Sequence, residues 1–248
     1  MRTRHGIVAR HHQVGISTLR HLRRSIRRPP SSRRQRVAPL DARRRQRGQG
    51  VAEFALIWPI FVVCVMGVIE FGVAFNNLLT VNYASRNAAL LGAEAGNNGC
   101  SDAIILQSIE SDTTAPADRN HITSVKIYYS NQNGQQIPDG GNSGANTYLR
   151  NTAGSPLTCT FNAQVISVPY QLSGSIGYPT ANRCNILAGC SSSGGHTTLD
   201  TIGVRINYDY HFITPLSAAI GLLQGNGNFG GGNWTFTQAN QMRMEPVL

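Results

Sequence analysis

RGQGVAEFALIWPIFVVCVMGVIEFGVAF, residues Arg47 to Phe75, decides how the rest of the chain is read. Phe54 to Ile69 is a run of sixteen residues with no charge and no strongly polar side chain. With its flanks it gives a helix over residues 49–75, which at ~1.5 Å per residue spans the ~30 Å hydrocarbon of a bilayer. Glu53 lies just inside the apolar run, where an ionisable side chain costs a few kcal/mol unless it finds a partner. Gly48 precedes it at a set distance: glycine, four residues, then Glu53-Phe54.

The chain has 248 residues and a formal charge of +10, which would suit a nucleic-acid binder if it were spread evenly. It is not. Residues 1–47 hold fifteen of the 22 Lys and Arg and one of the twelve Asp and Glu, so that segment is +14 and the remainder is −4. A leader so rich in arginine and so poor in apolar periodicity is expected to lack fixed structure. It serves as a positive flank that keeps the N-terminus in the cytosol, or it is translated upstream sequence from a misplaced start. Nucleic-acid binding ranks last, since no folded module and no interleaved aromatics accompany the arginines.

Beyond Phe75 the apolar residues Leu78, Leu79, Tyr83, Ala88, Leu91 and Gly92 keep helical spacing, so the helix is predicted to run on as an amphipathic extension over 76–96 until Gly96-Asn97-Asn98-Gly99 stops it. Pro59 should kink this helix without ending it. Ser101-Asp102 reads as the cap of a short amphipathic helix. Ile122–Tyr129 reads as a strand, 130–158 as a long surface loop, and Phe161–Leu172 as a second strand broken at Pro169. Ile202 to Phe212 alternates apolar and polar residues and is the clearest strand. Thr214-Pro215 should open a short helix through Leu223, and Trp234 to Met244 a last strand. The fold class is therefore α+β: a long helix carrying a small antiparallel sheet on its outer half, with an exported domain over 97–248.

Cys64 lies in the apolar helix and is expected to act as a small buried hydrophobe. Cys100, Cys159, Cys184 and Cys190 all follow it, which implies two disulfides in an oxidising compartment. Of three possible connectivities, Cys184–Cys190 with Cys100–Cys159 is preferred, because the first closes a short loop. No enzyme signature stands out. Gly225 to Gly230 matches G-x-G-x-x-G but lacks the strand before, helix after and acid beyond that a dinucleotide site needs. His121, His196 and His211 lie outside any catalytic motif and are expected to be solvated, and nothing in the sequence positions Asp200 and Asp209 as a carboxylate pair. No metal, cofactor or catalytic residue is expected.

The run Gly48 to Gly92, with Glu53-Phe54, Pro59, Glu70-Phe71-Gly72 and Val81 to Ala89, resembles the TadE-like family of minor pilins or pseudopilins of the Flp-type tight-adherence pilus. Thr214-Pro215 and the ending Met242 to Glu245 resemble it loosely. The resemblance implies a type IV pilin-like fold and a structural or assembly role in the bacterial inner membrane, with the N-terminus cytosolic and the C-terminal domain periplasmic or extracellular. It also implies that a prepilin peptidase cuts between Gly48 and Gln49, removing residues 1–48. Expected partners are that peptidase, other pilin subunits, the assembly machinery and membrane lipid, with no nucleic acid. Glu53 would pair with the new α-amino group of a neighbouring subunit, or else simply snorkel. Glu70 would mark the outer edge of the hydrocarbon or contact a partner helix during assembly. The competing reading is a single-pass anchor for an exported binding or adhesion domain outside any pilus.

Overall fold

The computed structural model describes residues 41–186, 190, 196–215 and 233–244. The chain divides into two units, Met1–Gly50 and Val51–Leu248. What is described of the first is the opening of helix α1, Asp41–Ala95. This helix starts well ahead of Val51, because the arginine-rich residues leading to Gly48 are good helix formers with no proline among them. The helix takes in the last residues of the arginine-rich leader, while 1–40 lie outside the described residues.

In the second unit α1 passes through Pro59 and runs to Ala95, where Gly96 takes φ +55° and its N–H reaches the Gly92 carbonyl at 3.0 Å. Only glycine suits that position, since a Cβ would also collide with the Asn185 side chain. The helix presents two different faces to two different surroundings. Between Val51 and Ile69 no side chain is buried. From Glu70 onward a stripe of small residues, Ala74, Val81, Ala84, Ser85, Ala88, Ala89 and Ala93, is covered by the sheet domain. The sequence pattern pointed instead to Leu79 and Tyr83 as part of the packed face, yet both stand exposed. Small residues win that face because they let a helix approach a sheet closely, leaving bulk to the flanks.

A second helix, α2 (Ser101–Asp112), follows. Among the described residues seven strands follow: β1 Ile122–Ser130, β2 Ala145–Arg150, β3 Leu157–Phe161, β4 Gln164–Val168, β5 Tyr170–Leu172, β6 Thr201–His211 and β7 Asn233–Arg243. Five of them make an antiparallel sheet in the order β5-β2-β1-β6-β7, and β3 pairs with β4 as a separate hairpin. The alternation in β6 places Ile202, Val204, Ile206, Tyr208 and Tyr210 in the core with Ile105, Leu106 and Ile109 of α2 and the small stripe of α1. Gly203, on the opposite face of β6, lies under the Tyr128 ring, where a Cβ could not fit.

Two local expectations give way, and a third gains detail. The loop expected over 130–158 contains β2, whose inward residue Asn146 is polar and so hid the alternation. The strand expected over 161–172 is broken at Pro169, as its sequence indicates, into β4 and β5, and these are preceded by a tight turn at Asn162-Ala163, both at positive φ. An Asn-Ala pair lacks the glycine by which such turns are usually read. The cap of α2 is also different: Cys100 precedes the helix without a side-chain cap, and Ser101 and Asp102 turn inward. The helix expected after Pro215 and the glycine-rich Gly225 to Gly230 lie outside the described residues.

Candidate functional site

The residues expected to guide processing share one helix and do not converge. Gly48 lies inside α1, exposed, with open space around it. Glu53 and Phe54 follow on the exposed stem, while nothing is described of the Gln49 side chain.

Glu70 does something the sequence did not foresee. Its side chain is 3% exposed. The Tyr210 hydroxyl donates to its carboxylate, as do the backbone N–H groups of Ile213 at 3.0 Å and Thr214 at 2.8 Å. The donors lie 140 or more residues away in sequence, at the end of β6 and just beyond it. The sequence offers an outer-edge marker or a partner-helix contact as roles for Glu70; within this chain its oxygens are taken up by the head. Burial, reinforced by the hydrogen bond to this carboxylate, pushes the Tyr210 phenol well above its ordinary pKa.

A second polar cluster is buried in the head. Arg183 is fully buried and its Nη2 donates to Asp102 Oδ1 at 2.6 Å. Its Nη1 donates to Ser101 Oγ at 3.1 Å, and the guanidinium lies 4.4 Å from the Tyr178 ring centroid. Asp102 Oδ2 accepts from the Tyr148 hydroxyl at 2.7 Å and from Asn146 Nδ2 at 2.8 Å. Asn146 Oδ1 in turn accepts the N–H groups of Gly177 and Tyr178, both at 2.9 Å. The chain of contacts continues through the Tyr178 hydroxyl to Asp200 at 2.7 Å, and from Asp200 to His196 Nδ1 at 2.6 Å. Burial raises the pKa of Asp200, and the hydrogen bonds from Tyr178 and His196 only partly offset it.

His196 is therefore not solvated as expected. It stacks on Tyr129 at 4.2 Å between centroids, and its Nε2 lies 3.1 Å from buried Asp139. Both ring nitrogens face carboxylates, so neither is placed to activate a nucleophile. His211 and His121 approach each other at 3.1 Å on the surface, and burial followed by the neighbouring His211 lowers the pKa of His121. Asp200 immediately precedes β6 and Asp209 lies near its far end, about 30 Å away at a strand's rise per residue, so the two cannot act as a pair.

The cysteines pair as Cys100–Cys159 and Cys184–Cys190. The first ties the β3–β4 hairpin to the start of α2, and the second closes a short loop, six residues from one cysteine to the other, beside Arg183. Cys64 is exposed on the stem and not buried, as a lipid-facing position would have it. Sequence reasoning missed the Arg183–Asp102 cluster altogether, because Arg183 lies 82 residues from its partner Ser101 and no spacing rule joins them.

A long, bare apolar helix whose outer half is clamped by a small antiparallel sheet is a pilin-like arrangement, and one comparison agrees with it. Residues 48–90 match the TadE-like protein family. The TadE-like segment begins at Gly48 and ends within the small-residue stripe of α1, so it covers the stem and leaves the head outside the match. That family is a structural, pilus-associated one. The looser C-terminal resemblance lies outside the matched residues. No curated protein and no solved structure matches the chain.

Proposed function

We propose that this chain is a minor pilin or pseudopilin of a Flp-type tight-adherence pilus, made as a membrane-anchored precursor and cut by a prepilin peptidase after Gly48. The observation that carries the reading is that the family match opens at Gly48, the residue whose spacing to Glu53 marks the processing site. The basic residues before Gly48 hold that end in the cytosol, and two disulfides suit a head on the far, oxidising side. In this reading Glu53 neutralises the new α-amino group of an adjacent subunit, which removes two charges from hydrocarbon at once. Glu70 has the different task of fixing the head to its own stem. The partners are the peptidase, other pilin subunits and the assembly machinery. The chain works without catalysis or cofactor.

The test is the mass of the mature N-terminus in cells that carry the pilus genes. It should begin at Gln49, and Gly48→Leu should leave the precursor intact. A chain that keeps its arginine leader in such cells would leave only a membrane-anchored exported domain.

A further inference from the structure

The stem changes surroundings between Ile69 and Glu70. Val51 to Ile69 is nineteen residues without a buried side chain, and at ~1.5 Å per residue it measures about 28 Å, the thickness of bilayer hydrocarbon. Glu70 is the first side chain that the head covers. At that same level, large apolar side chains from three separate segments stand in the open: Phe71 at 64%, Ile213 at 68% and Trp234 at 43% exposed. One helical turn farther on, Phe75 is 62% exposed.

These residues form one ring of structure. Trp234 pairs with Tyr210 across β6 and β7, and Tyr210 donates to Glu70. The Trp234 ring lies 6.2 Å from Phe71 and 5.1 Å from Phe212, and the Ile213 N–H is held by Glu70. A domain end facing water gains nothing from three exposed large apolar groups at one height. A domain end facing lipid headgroups does, because a tryptophan can bury its ring while its N–H stays wet.

We propose that this collar is a second membrane contact, separate from the span itself. It seats the head in the interfacial layer of the bilayer, with Trp234 at headgroup depth and Phe71 and Ile213 against the outermost acyl carbons. The occupant is lipid because the collar is continuous with the bare apolar face of the span. The proposal rests on the reading of Val51 to Ile69 as membrane-embedded, and the chain's own two tryptophans separate the claims.

The full chain would be reconstituted in phosphatidylcholine and phosphatidylglycerol vesicles whose lipids carry bromine either near the head or near the middle of the acyl chain. Trp58→Phe leaves Trp234 as the reporter, and Trp234→Phe leaves Trp58. Trp58 should be quenched by both lipids, more by mid-chain bromine. Trp234 should lose most of its emission to bromine near the head, less to mid-chain bromine, and little to aqueous iodide. Adding Ile213→Asp to the Trp58→Phe chain should shift Trp234 emission to the red and abolish most of that quenching. A quenched Trp58 with an unquenched, iodide-accessible Trp234 overturns the collar while leaving the span intact. The collar is equally overturned if Trp234 is shielded from iodide but insensitive to bromine, as it would be beneath a second copy of the chain. A Trp58 untouched by bromine removes the span and the collar together.

Discussion

Arg183 and Asp102 make a decisive perturbation, because removing either partner leaves a different orphan. Both are buried, and they meet at 2.6 Å. Breaking a buried pair by deleting one partner costs ~3–5 kcal/mol, and the surroundings indicate which end of that range each variant takes. Without Arg183, Asp102 still has the Tyr148 hydroxyl and Asn146 Nδ2. Without the Asp102 charge, the acceptors left to Arg183 among the described residues are neutral, Ser101 Oγ and the Tyr178 carbonyl, beside the Tyr178 ring. A guanidinium cannot shed its proton at any accessible pH.

Asp102→Asn should therefore destabilise the head by about 5 kcal/mol and Arg183→Met by about 3. In a domain of this size these are downward shifts of roughly 10–20 °C and 6–12 °C. The assay is thermal unfolding of the detergent-solubilised full chain, followed by circular dichroism. Equal losses, or a smaller loss for Asp102→Asn, would refute the view that an orphaned guanidinium is the costlier group.

Other outcomes follow from the same contacts. Glu70→Ala leaves the Ile213 and Thr214 N–H groups without their acceptor, a loss of roughly 1–3 kcal/mol; hydrogen exchange should show both amides deprotected while the β1 and β6 amides remain slow. Asp200 has its pKa raised by burial above 3.8. Its contribution to stability is thus complete below that value and lost as pH rises through the folded pKa, so urea midpoints should fall as pH rises above 3.8 and Asp200→Asn should flatten that slope. Replacing Cys100 and Cys159 by serine opens a crosslink spanning 59 residues, worth about 4 kcal/mol by loop entropy; the β3–β4 hairpin should become the first site of proteolysis, and added reductant should not weaken the variant further at that site.

What could be read from the sequence is what depends on period and neighbourhood. The span, the stop at Gly96, β1, β6 and β7 are each specified by residues adjacent to one another, and so is the Cys184–Cys190 loop. The strand β2 escaped because Asn146, facing inward, breaks the apolar alternation; it is buried only because it bridges Asp102 and the Tyr178 backbone. The partners of Glu70 escaped for a related reason. A carboxylate near the end of an apolar run looks like a boundary or an assembly contact. Only the fold brings Tyr210, Ile213 and Thr214 to it.

The position of Glu70 also explains why the two halves of α1 follow opposite rules. Below it the helix carries large side chains outward, which suits hydrocarbon and would aggregate in water. Above it the helix turns small residues toward the sheet, which suits close packing and would bind lipid poorly. A helix obeying both rules needs a fixed point where one ends and the other begins, since a slip of one turn would move Phe71 and Phe75 under the sheet, or draw the small stripe into lipid. A carboxylate that accepts two backbone N–H groups and a buried phenol fixes the register, because a shift of one turn, about 5.4 Å, would break all three hydrogen bonds. The polar contacts of Asn82 with Gln238, and of Ser85 with Asn240, hold the same register about two to three turns beyond the exposed Phe75. The head is thus keyed to one height on its stem, and that height is where the apolar surface of the span gives way to the collar.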